Sequence, residues 1–396
     1  MGRSKQVVAV VAHSGGPTPV INASLLGLVE EARLHSEINA LYGARFGIPG
    51  ILQEDFIDLF AQPEDLLQRV GASPASALGS SRYEVSQADL IRMLAIFRSH
   101  DVRFFFYTGG NGSMGTAMQL KQAAEQEGRP LQVIGIPKTI DNDLLVTDHT
   151  PGYGSTARFF AHAVRDIDAD NRSLPNQVGI IEVLGRNAGW LAAATSFAKS
   201  GSDAGPHLIY FPEQKLPIEK LLEDVSSVFT RLKRCVVVVC EGQLDQNGEP
   251  FGADVRSGSR GSLAQNLGHR LAALIASGLN IRARSEKPGL LGRASSAYVS
   301  QSDWNESRMC GRQAVKSATA GHSGVMITLV RASGPEYSIS CGEVPLEDVA
   351  FTERLFPASW INAEGTGVCP EFHAYASPLI GPVDSLPRLI ALNRLS

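Results

Sequence analysis

The chain has 396 residues, of which 43% are hydrophobic and 19% charged, and this length and balance are typical of a globular protein with two domains. The formal net charge of −4 and the lack of any apolar run of about 18 residues predict no nucleic acid partner and no membrane span. Five cysteines without a CxxC pair argue against a disulfide framework or a zinc site, and the absence of an apolar leader favours a cytoplasmic protein.

Short β-branched or aromatic runs alternate with helical patterns along the chain. In order, they predict a strand at Gln6–Ala12, a helix at Asn22–Arg33, a strand at Arg103–Tyr107, a helix at about Ser113–Gln126, a strand at Leu131–Ile136, a helix at Ser155–Ala169, a strand at Val178–Leu184, a helix at Gly189–Ser200, a strand at His207–Phe211, a helix at Val225–Leu232 and a strand at Cys235–Cys240. This alternation predicts an α/β protein with two doubly wound domains and largely parallel sheets.

Glycine-rich or polar residues follow three of these strands. Ser14–Pro17 follows the first strand, Gly109–Ser113 the next clear one and Pro137–Asp143 the third. Ligands of parallel sheets bind beyond the carboxyl ends of the strands. We therefore expect three consecutive strand ends to contribute to one site.

Paired glycines at two of these turns allow two interpretations. Gly15-Gly16 and Gly109-Gly110 would let backbone N–H groups approach a phosphate at a helix N-terminus. Each pair alone fits a tight turn without a ligand equally well, but two such turns on neighbouring strands favour phosphate binding. Neither turn matches a P-loop or a dinucleotide-binding fingerprint.

The run Thr139–Asp143 contains two carboxylates that could divide the work of phosphoryl transfer. Asp141 could accept the proton of a hydroxyl nucleophile, Asp143 could lie near a metal, and the adjacent Lys138 could neutralise the moving charge. An Asx-rich surface loop is the alternative interpretation.

Several arginines near glycines or turns are candidate phosphate ligands. An arginine fork can bind phosphate through two parallel hydrogen bonds, although most arginines in proteins are solvated surface groups. The candidates are Arg82, Arg158, Arg186, Arg284 and Arg293.

Together these motifs resemble the phosphofructokinase family in order and spacing over about residues 6 to 330. The matching stretches are Ser14–Gly16, Gly109–Ser113, Pro137–Asp143, Pro151–Ser155, Glu182–Trp190, Glu241–Gly242 and Gly289–Arg293. The Pro-Lys-Thr form at residue 137 and the stretch Thr147–Thr150 are similar to the branch with many pyrophosphate-dependent members.

The resemblance implies a role for each matched residue. Asp141 would take the proton from the sugar 1-hydroxyl, Thr139 would steady the transferred phosphate, and Lys138 would assist. The phosphoryl donor would be bound by Gly15, Gly16, Arg82, Gly110, Gly112 and Ser113. Fructose 6-phosphate would be held by Thr139, Ile140, Asp141, Leu184, Gly185, Arg186, Glu241, Arg284, Leu290, Leu291, Gly292 and Arg293. Mg²⁺ and its waters would lie at Asn111 and Asp143.

The resemblance also implies a domain organisation, with the active site in the cleft between two domains. Residues 1–152, with a return segment after about 293, would form the phosphoryl-donor domain, residues 153–293 the sugar-phosphate domain, and residues 331–396 an extension packed on the core. The protein would be a homodimer or homotetramer, because relatives complete their sugar-phosphate sites across a two-fold interface. His162 and Arg165 are candidates for that contact, with a solvated helix face as the alternative.

Some positions depart from the family pattern. Asn111 replaces the usual metal-side aspartate, and Leu290 and Gly292 replace a polar pair. Gln177 stands in place of an arginine that reaches the sugar phosphate across a subunit interface. A non-catalytic regulatory homologue therefore stays open, as does a kinase of similar fold acting on a lipid or NAD, against which Arg293 argues. Leu26 and Glu30 stand where bacterial ATP-dependent relatives carry effector-binding arginines, so control by ADP or phosphoenolpyruvate is not expected.

The donor is the least determined feature of the expected 6-phosphofructokinase, which would phosphorylate the 1-hydroxyl of fructose 6-phosphate to give fructose 1,6-bisphosphate. Gly112 stands where pyrophosphate-dependent relatives usually have an aspartate that repels the α-phosphate of ATP. Lys138, in contrast, is the residue usually seen in pyrophosphate enzymes. Because a donor must first fit, Gly112 weighs more, and the balance favours ATP with pyrophosphate as the alternative.

Overall fold

A computed structural model describes residues 7–174, 176–251 and 266–389. The chain folds as two compact units. The first unit comprises Met1–Thr156 and Leu290–Leu355, and the second comprises Ala157–Gly289 and Phe356–Ser396. The expected functional division into a donor domain and a sugar-phosphate domain, with the boundaries given above, stays a prediction.

Strands and helices are numbered here in chain order. Up to residue 173 they are β1 (Val8–His13), α1 (Ile21–Ala32), β2 (Ala40–Ala44), α2 (Ile48–Leu52), β3 (Phe56–Asp58), α3 (Glu64–Gly71), α4 (Gln87–Ser99), β4 (Val102–Gly109), α5 (Asn111–Gln126), β5 (Gln132–Pro137) and α6 (Tyr153–Ser173). From residue 177 they are β6 (Gln177–Val183), α7 (Trp190–Ala194), β7 (Leu208–Ile209), β8 (Lys215–Leu216), α8 (Ile218–Leu232), β9 (Arg234–Cys240), β10 (Leu244–Asp245), α9 (Leu267–Leu279), β11 (Arg282–Glu286), α10 (Leu291–Ala294), α11 (Gln301–Thr319), β12 (Val325–Arg331), β13 (Ile339–Pro345) and α12 (Pro370–Ile380).

The first unit is built on a seven-stranded sheet in the order β13-β12-β5-β4-β1-β2-β3. Its five central strands are parallel, and only the edge strands β3 and β13 run antiparallel to their neighbours. Alternate residues of β1 face opposite sides of the sheet. Val8 and Val10 pack with residues of α2, α4 and α5, while Ala9 and Val11 pack with residues of α1, α3 and α11. Burial of both faces explains why β1 is apolar throughout.

The second unit contains a fully parallel sheet in the order β11-β6-β9-β7 and a short two-stranded sheet, β10-β8. Strand β9 is entirely buried, as its run of four valines requires. Phe356, at the start of the C-terminal segment of this unit, packs against aromatic side chains of the preceding segment. Trp190 packs edge-on against Phe356 with ring centroids 5.1 Å apart, and Phe211 stacks on Phe356 at 5.3 Å.

The α/β class with largely parallel sheets is confirmed, but several expected boundaries are wrong. Strands β2 and β3 were not expected, because both are short and β2 contains Gly43. Helix α8 begins at Ile218 rather than at 225, and the expected helix from residue 189 to 200 changes after α7 into a 3-10 turn, Thr195–Ala198. The expected strand at 207–211 is reduced to β7. Gln6 lies outside the described residues.

No helix among the described residues has both the length and the apolar character required to cross a bilayer.

Candidate functional site

Three adjacent strands of the first unit, β5, β4 and β1, carry the predicted site residues at their carboxyl ends. Backbone hydrogen bonds continue past the ends: Ser14 N donates to Thr108 O at 2.8 Å, and Lys138 N donates to Gly109 O at 3.0 Å. The three ends are neighbours in the sheet, as their shared polarity suggested. They are not consecutive in the chain, because β2 and β3 come between β1 and β4 and then extend the sheet on the far side of β1.

Three cationic side chains converge on the glycine turn after β1. Gly15 has a φ of 78°, a left-handed conformation that favours glycine. A Cβ on Gly15 would lie 3.1 Å from Lys138 Nζ, and a Cβ on Gly16 would lie 2.7 Å from Arg293 Nη1 and 3.6 Å from Arg82 Nη2. The absence of side chains at this turn therefore lets three positive charges approach the backbone closely, which is the arrangement a phosphate requires.

Residues 76–82 support this turn, and sequence reasoning had identified only Arg82 among them. Gly15 N donates to Ser81 O at 2.9 Å, and Ser80 Oγ donates to Gly15 O at 2.7 Å. His13, just before the turn, is fully buried with Nδ1 2.7 Å from Ser76 Oγ. Burial, with Lys138 nearby, lowers the pKa of His13 to about 3, so this imidazole is neutral at physiological pH.

The N-terminus of α5 contributes the second glycine turn. Gly110 is its N-cap residue, and the helix extends for 16 residues from Asn111. The Asn111 amide is engaged locally: its Oδ1 accepts from Gly112 N at 2.6 Å, and its Nδ2 donates to Thr352 O at 3.4 Å. A Cβ on Gly112 would meet no atom within 4 Å, so the space beside Gly112 is open, and Ser113 is buried next to it.

The acidic loop, defined as residues 138–152 between β5 and α6, holds the predicted catalytic residues. Thr139 lies at its base, where its N donates to Pro151 O at 3.2 Å and its O accepts from Thr150 Oγ1 at 2.9 Å. Thr139 Oγ1 also accepts from Asp141 N at 3.1 Å. Thr139, Asp141 and, between them, Ile140 therefore belong to one hydrogen-bonded turn at the end of β5.

Charges inside this end of the sheet perturb one another. Lys138 is 3% exposed, and its Nζ donates to Gly16 O at 2.7 Å. Burial lowers the pKa of Lys138 to about 8, although the carboxylates of Asp141 and Asp143 oppose that shift. Burial also raises the pKa of Asp143, with a further contribution from the Glu353 carboxylate. Asp143 Oδ1 is buried without a hydrogen-bond partner, which makes it available to a cation.

Strand ends of the second unit bring together four of the predicted sugar-phosphate residues. Glu241 N donates to Val183 O at 3.1 Å, which fixes the end of β9 beside that of β6. Gly185 has a φ of 116°, and a Cβ there would lie 2.9 Å from Ala188 O. This turn leads from Leu184 through Gly185 to Arg186, so all three lie near Glu241.

The remaining predicted sugar-phosphate residues lie elsewhere. Arg284 is exposed in the middle of the edge strand β11, opposite Gly179, and not at a carboxyl end. Leu290 and Leu291 are mostly exposed in the first unit, where Gly292 is buried. Arg293 belongs to the same short segment and, as described, lies beside Gly16. Their assignment to the sugar phosphate stays a prediction.

A polar pocket in the second unit was not expected. It has a volume of about 410 Å³ and is lined by Glu182, Asn266, Gly268, His269, Ser285, Glu286 and Lys287. Glu182 is buried, and its carboxylate binds Lys287 Nζ at 2.5 Å and Gly268 N at 2.9 Å. The glutamate that opens the Glu182–Trp190 motif therefore serves this pocket and the start of α9.

The two helix residues considered for a subunit contact are occupied within the chain. Arg165 donates to the Asp166 carboxylate at 2.9 Å and to Asp384 O at 3.2 Å, and His162 is 8% exposed. The solvated helix face considered as the alternative is therefore wrong for His162. Arg158, one of the candidate phosphate ligands, donates to Ile380 O at 2.9 Å and Pro382 O at 3.0 Å.

Residues 8–318 match the model of the phosphofructokinase family. The chain belongs to the phosphofructokinase family. Membership confirms the resemblance drawn from the motifs and makes the chain a phosphotransferase with an alcohol acceptor. It supports neither the lipid or NAD kinase alternative nor a non-catalytic homologue.

Three individual proteins of known name are similar to the chain over nearly its whole length. Pyrophosphate–fructose 6-phosphate 1-phosphotransferase of Rhodospirillum rubrum is 39% identical over 382 residues, covering 94% of each chain. The crystal structure of a pyrophosphate-dependent phosphofructokinase from Marinobacter aquaeolei is 35% identical with a TM-score of 0.86, over 98% of this chain and 95% of that one. Sulfofructose kinase of Alkalicoccus urumqiensis is 32% identical over 381 residues, covering 95% of this chain and 96% of its own.

Proposed function

We propose that the chain is a pyrophosphate-dependent fructose 6-phosphate 1-phosphotransferase, which transfers a phosphoryl group from pyrophosphate to the sugar 1-hydroxyl and releases orthophosphate. The observation that carries this donor is the buried Lys138 ammonium, 2.7 Å from the carbonyl oxygen of Gly16 in the glycine turn. The expectation from Gly112 favoured ATP over pyrophosphate. The Rhodospirillum and Marinobacter relatives support the alternative better.

The positive charges around the glycine turn after β1 favour the same donor. Pyrophosphate has no nucleoside, so an enzyme can hold it only through its phosphate oxygens. Arg82, Lys138 and Arg293 direct three cations to one glycine turn, so we propose that Arg293 serves the donor and not the sugar phosphate expected for it. A cluster of this kind binds a small, highly charged anion well. The open space at Gly112 would not exclude ATP by bulk or charge, so Gly112 alone does not select the donor.

Asp141 is the general base of the proposed reaction. The 1-hydroxyl oxygen attacks the nearer phosphorus of pyrophosphate while its proton passes to the Asp141 carboxylate. The bond to the bridging oxygen breaks, and orthophosphate leaves with that electron pair. Lys138 and the glycine turn neutralise the charge on the transferred group, so catalysis depends mostly on positioning and charge.

Mg²⁺ fits the residues of the first unit in one respect. Asp143 Oδ1 is buried and accepts no hydrogen bond, as a carboxylate oxygen reserved for a cation would be. Asn111 Oδ1 already accepts from Gly112 N, so Asp143 is the stronger of the two expected ligands. Among the described residues no group of three His, Cys, Asp or Glu side chains could hold a metal ion, so we propose that the donor's own oxygens complete the shell of the Mg²⁺, which would neutralise phosphate charge.

A coupled assay with purified protein, Mg²⁺ and fructose 6-phosphate tests the donor. Pyrophosphate and ATP are supplied separately, and the Asp141→Asn variant serves as the blank for contaminating kinases. We expect turnover with pyrophosphate to exceed turnover with ATP by a wide margin. Turnover with ATP and none with pyrophosphate would show that Gly112 is the better guide to the donor.

A second acceptor is favoured by one observation. Gln177, buried in β6 with an unpartnered Oε1, stands where the family resemblance implies an arginine on the sugar phosphate. A sulfonate carries one negative charge and a phosphate nearly two, so loss of an arginine weakens phosphate binding more than sulfonate binding. The similarity to sulfofructose kinase makes the sulfonate analogue of fructose 6-phosphate the comparison to run in the same assay. A higher kcat/KM for that analogue would reassign the acceptor.

We also propose a homodimer or homotetramer. Arg284 is exposed on the edge strand β11, where it could reach a second copy of the chain. Sedimentation at the concentration used for the assay tests this assignment. An active monomer would exclude it.

A further inference from the structure

The acidic loop has an irregular backbone with positive φ values at two residues that are not glycine. It contains neither helix nor strand between β5 and α6. Asn142, which lies between Asp141 and Asp143, has a φ of 56°, and Val146 has the same value. A β-branched residue at positive φ is strained and persists only where surrounding contacts require it. Inside the loop Thr150 N donates to Asn142 Oδ1 at 3.0 Å, and contacts from outside the loop supply the remaining constraints on the orientation of the two carboxylates.

One side of the loop is held by the sheet. Asp148 N donates to Leu329 O of β12 at 2.8 Å, and Leu329 N donates to Thr147 Oγ1 at 2.9 Å. Arg331, two residues further along β12, pairs with the Asp148 carboxylate at 2.8 Å. These bonds fix residues 147 and 148, but they do not reach Asn142 or Asp143.

Arg354 connects the two parts of the loop. Its Nε and Nη2 donate to Asn142 O at 3.1 and 2.9 Å, and its Nη1 donates to Thr147 O and Asp148 O at 2.7 and 2.9 Å. Its backbone N donates to Asp143 O at 2.7 Å. One half-buried guanidinium thus binds carbonyl groups of three loop residues, and the same residue's main chain binds a fourth.

The geometry requires an arginine. Only a planar guanidinium presents donors along two of its edges at once, whereas a lysine ammonium acts as a point charge and could not span the separated carbonyls of Asn142 and Thr147 in the same way. Without Arg354 those buried or half-buried carbonyls would need other donors, and the turn at Asn142 would lose two of its hydrogen bonds.

We propose that Arg354 is a positioning residue for phosphoryl transfer, which holds Asp141 and Asp143 in the geometry of reaction through the backbone of the acidic loop. The proposal rests on the proposed function for its kinetic consequence. In this role Arg354 acts through the backbone of the acidic loop and not on the substrate. Its loss should lower kcat more than it raises KM, because the binding groups of the glycine turn are left in place.

The chain offers a matched control in Arg129. This residue belongs to the same unit and also donates to two backbone carbonyls, Leu94 O at 2.7 Å and Val102 O at 2.8 Å, away from the acidic loop. Arg354→Ala, Arg354→Lys and Arg129→Ala are compared with the unmodified protein for kcat, KM for fructose 6-phosphate, KM for pyrophosphate and thermal unfolding. Displacement of a reacting group by about 1 Å can cost roughly 10²-fold, so we expect kcat of Arg354→Ala to fall by about 10- to 100-fold.

We expect Arg354→Lys to retain part of kcat, and Arg129→Ala to lose stability without a comparable loss of kcat. If Arg354→Ala does not fold, Arg354→Lys carries the comparison, since its effect on packing is small. Equal losses of kcat in the Arg354 and Arg129 variants at equal loss of Tm would reduce Arg354 to a structural residue and overturn the proposal.

Amide hydrogen exchange separates this proposal from the proposed function. Arg354→Ala should exchange faster at residues 142–148, and Arg129→Ala should not. If the unmodified protein shows no turnover with either donor, the proposed function fails, but this exchange result still decides whether Arg354 holds the loop. Unchanged exchange at residues 142–148 would overturn the role of Arg354 whatever the activity.

Discussion

The carboxyl ends of the two main sheets differ in how their charged side chains are buried and paired. In the first unit, three cations and two carboxylates gather at adjacent strand ends, where Lys138 is buried and bound to the backbone and Asp143 Oδ1 is buried without a hydrogen-bond partner. In the second unit, the corresponding end has Arg186 and Glu241 by a glycine turn. The buried Glu182 carboxylate there is paired with Lys287 in the polar pocket. Buried charges are costly unless they are paired and hydrogen-bonded, and groups with strongly perturbed pKa values cluster at sites of chemistry, whereas paired charges around an open pocket are sufficient for recognition. The difference suggests that the first unit carries out transfer and the second selects the acceptor.

The largest test of this contrast is Asp141→Asn. Asparagine keeps the shape of the side chain but cannot accept the 1-hydroxyl proton, so we expect kcat to fall by about 10²- to 10⁴-fold. The KM for fructose 6-phosphate should change little, because the binding groups remain. Steady-state kinetics and direct titration of the sugar phosphate measure both effects. Near-normal turnover would show that Asp141 is not the base. The assignment of phosphoryl transfer to the first unit would then lose its main support.

A change in the second unit should have the opposite signature. Arg186→Ala removes a charged donor, and hydrogen bonds to charged groups contribute about 1.5–3 kcal/mol, so KM for fructose 6-phosphate should rise by roughly 10- to 100-fold with a smaller change in kcat. The exposed Arg231 on α8, changed to alanine, is the control for loss of charge alone. A fall in kcat at unchanged KM would place Arg186 with the chemistry and remove the distinction between the units.

The pH dependence of donor binding tests whether Lys138 of the first unit binds the donor. Because the pKa of Lys138 is lowered to about 8, its ammonium is charged below pH 8 and loses its proton as the pH rises through that value. We expect KM for pyrophosphate to increase above pH 8, by at most about tenfold per pH unit if one charge is lost. Lys138→Arg keeps its charge over this range and should show no such break, which also controls for ionisation of pyrophosphate. Identical profiles for the two proteins would exclude Lys138 as a donor ligand.

The sequence was informative where a motif is local and less so where contacts span the chain. Gly15 could be recognised because its turn is contiguous with β1, and Asp141 because a polar run interrupts an apolar pattern. The support of Gly15 by Ser80, and above all the binding of Asn142 by Arg354 across 212 positions, has no signature in either stretch alone. Such contacts follow from which strand lies next to which, and sheet order is not written in local periodicity.

The order of strands in the first sheet could not be predicted from the sequence either. The alternation of patterns predicted parallel pairing, but β2 and β3 were overlooked, and the site ends were therefore thought consecutive. Gly43 in the middle of β2 lowers its strand propensity, and Leu78 packs against the space where a Cβ would be. The strand exists because tertiary packing favours it, which a single sequence does not reveal.

The smallest expected effect on turnover with pyrophosphate is that of substitutions at Gly112. Gly112 is the second residue of α5, and a Cβ there would meet no atom within 4 Å, so Gly112→Asp introduces a carboxylate without a steric cost. A surface substitution of this kind usually changes stability by no more than about 0.5 kcal/mol, and an acid in the first turn of a helix is favourable. If pyrophosphate is the donor, its turnover should therefore change by only about twofold, while any residual turnover with ATP should disappear because the new charge repels a third phosphate. Gly112→Ala adds the Cβ alone and separates bulk from charge. A large loss of pyrophosphate turnover in Gly112→Asp but not in Gly112→Ala would mean that the transferred phosphates themselves lie against Gly112, and the cluster of charges at the strand ends of the first unit would then extend to the start of α5.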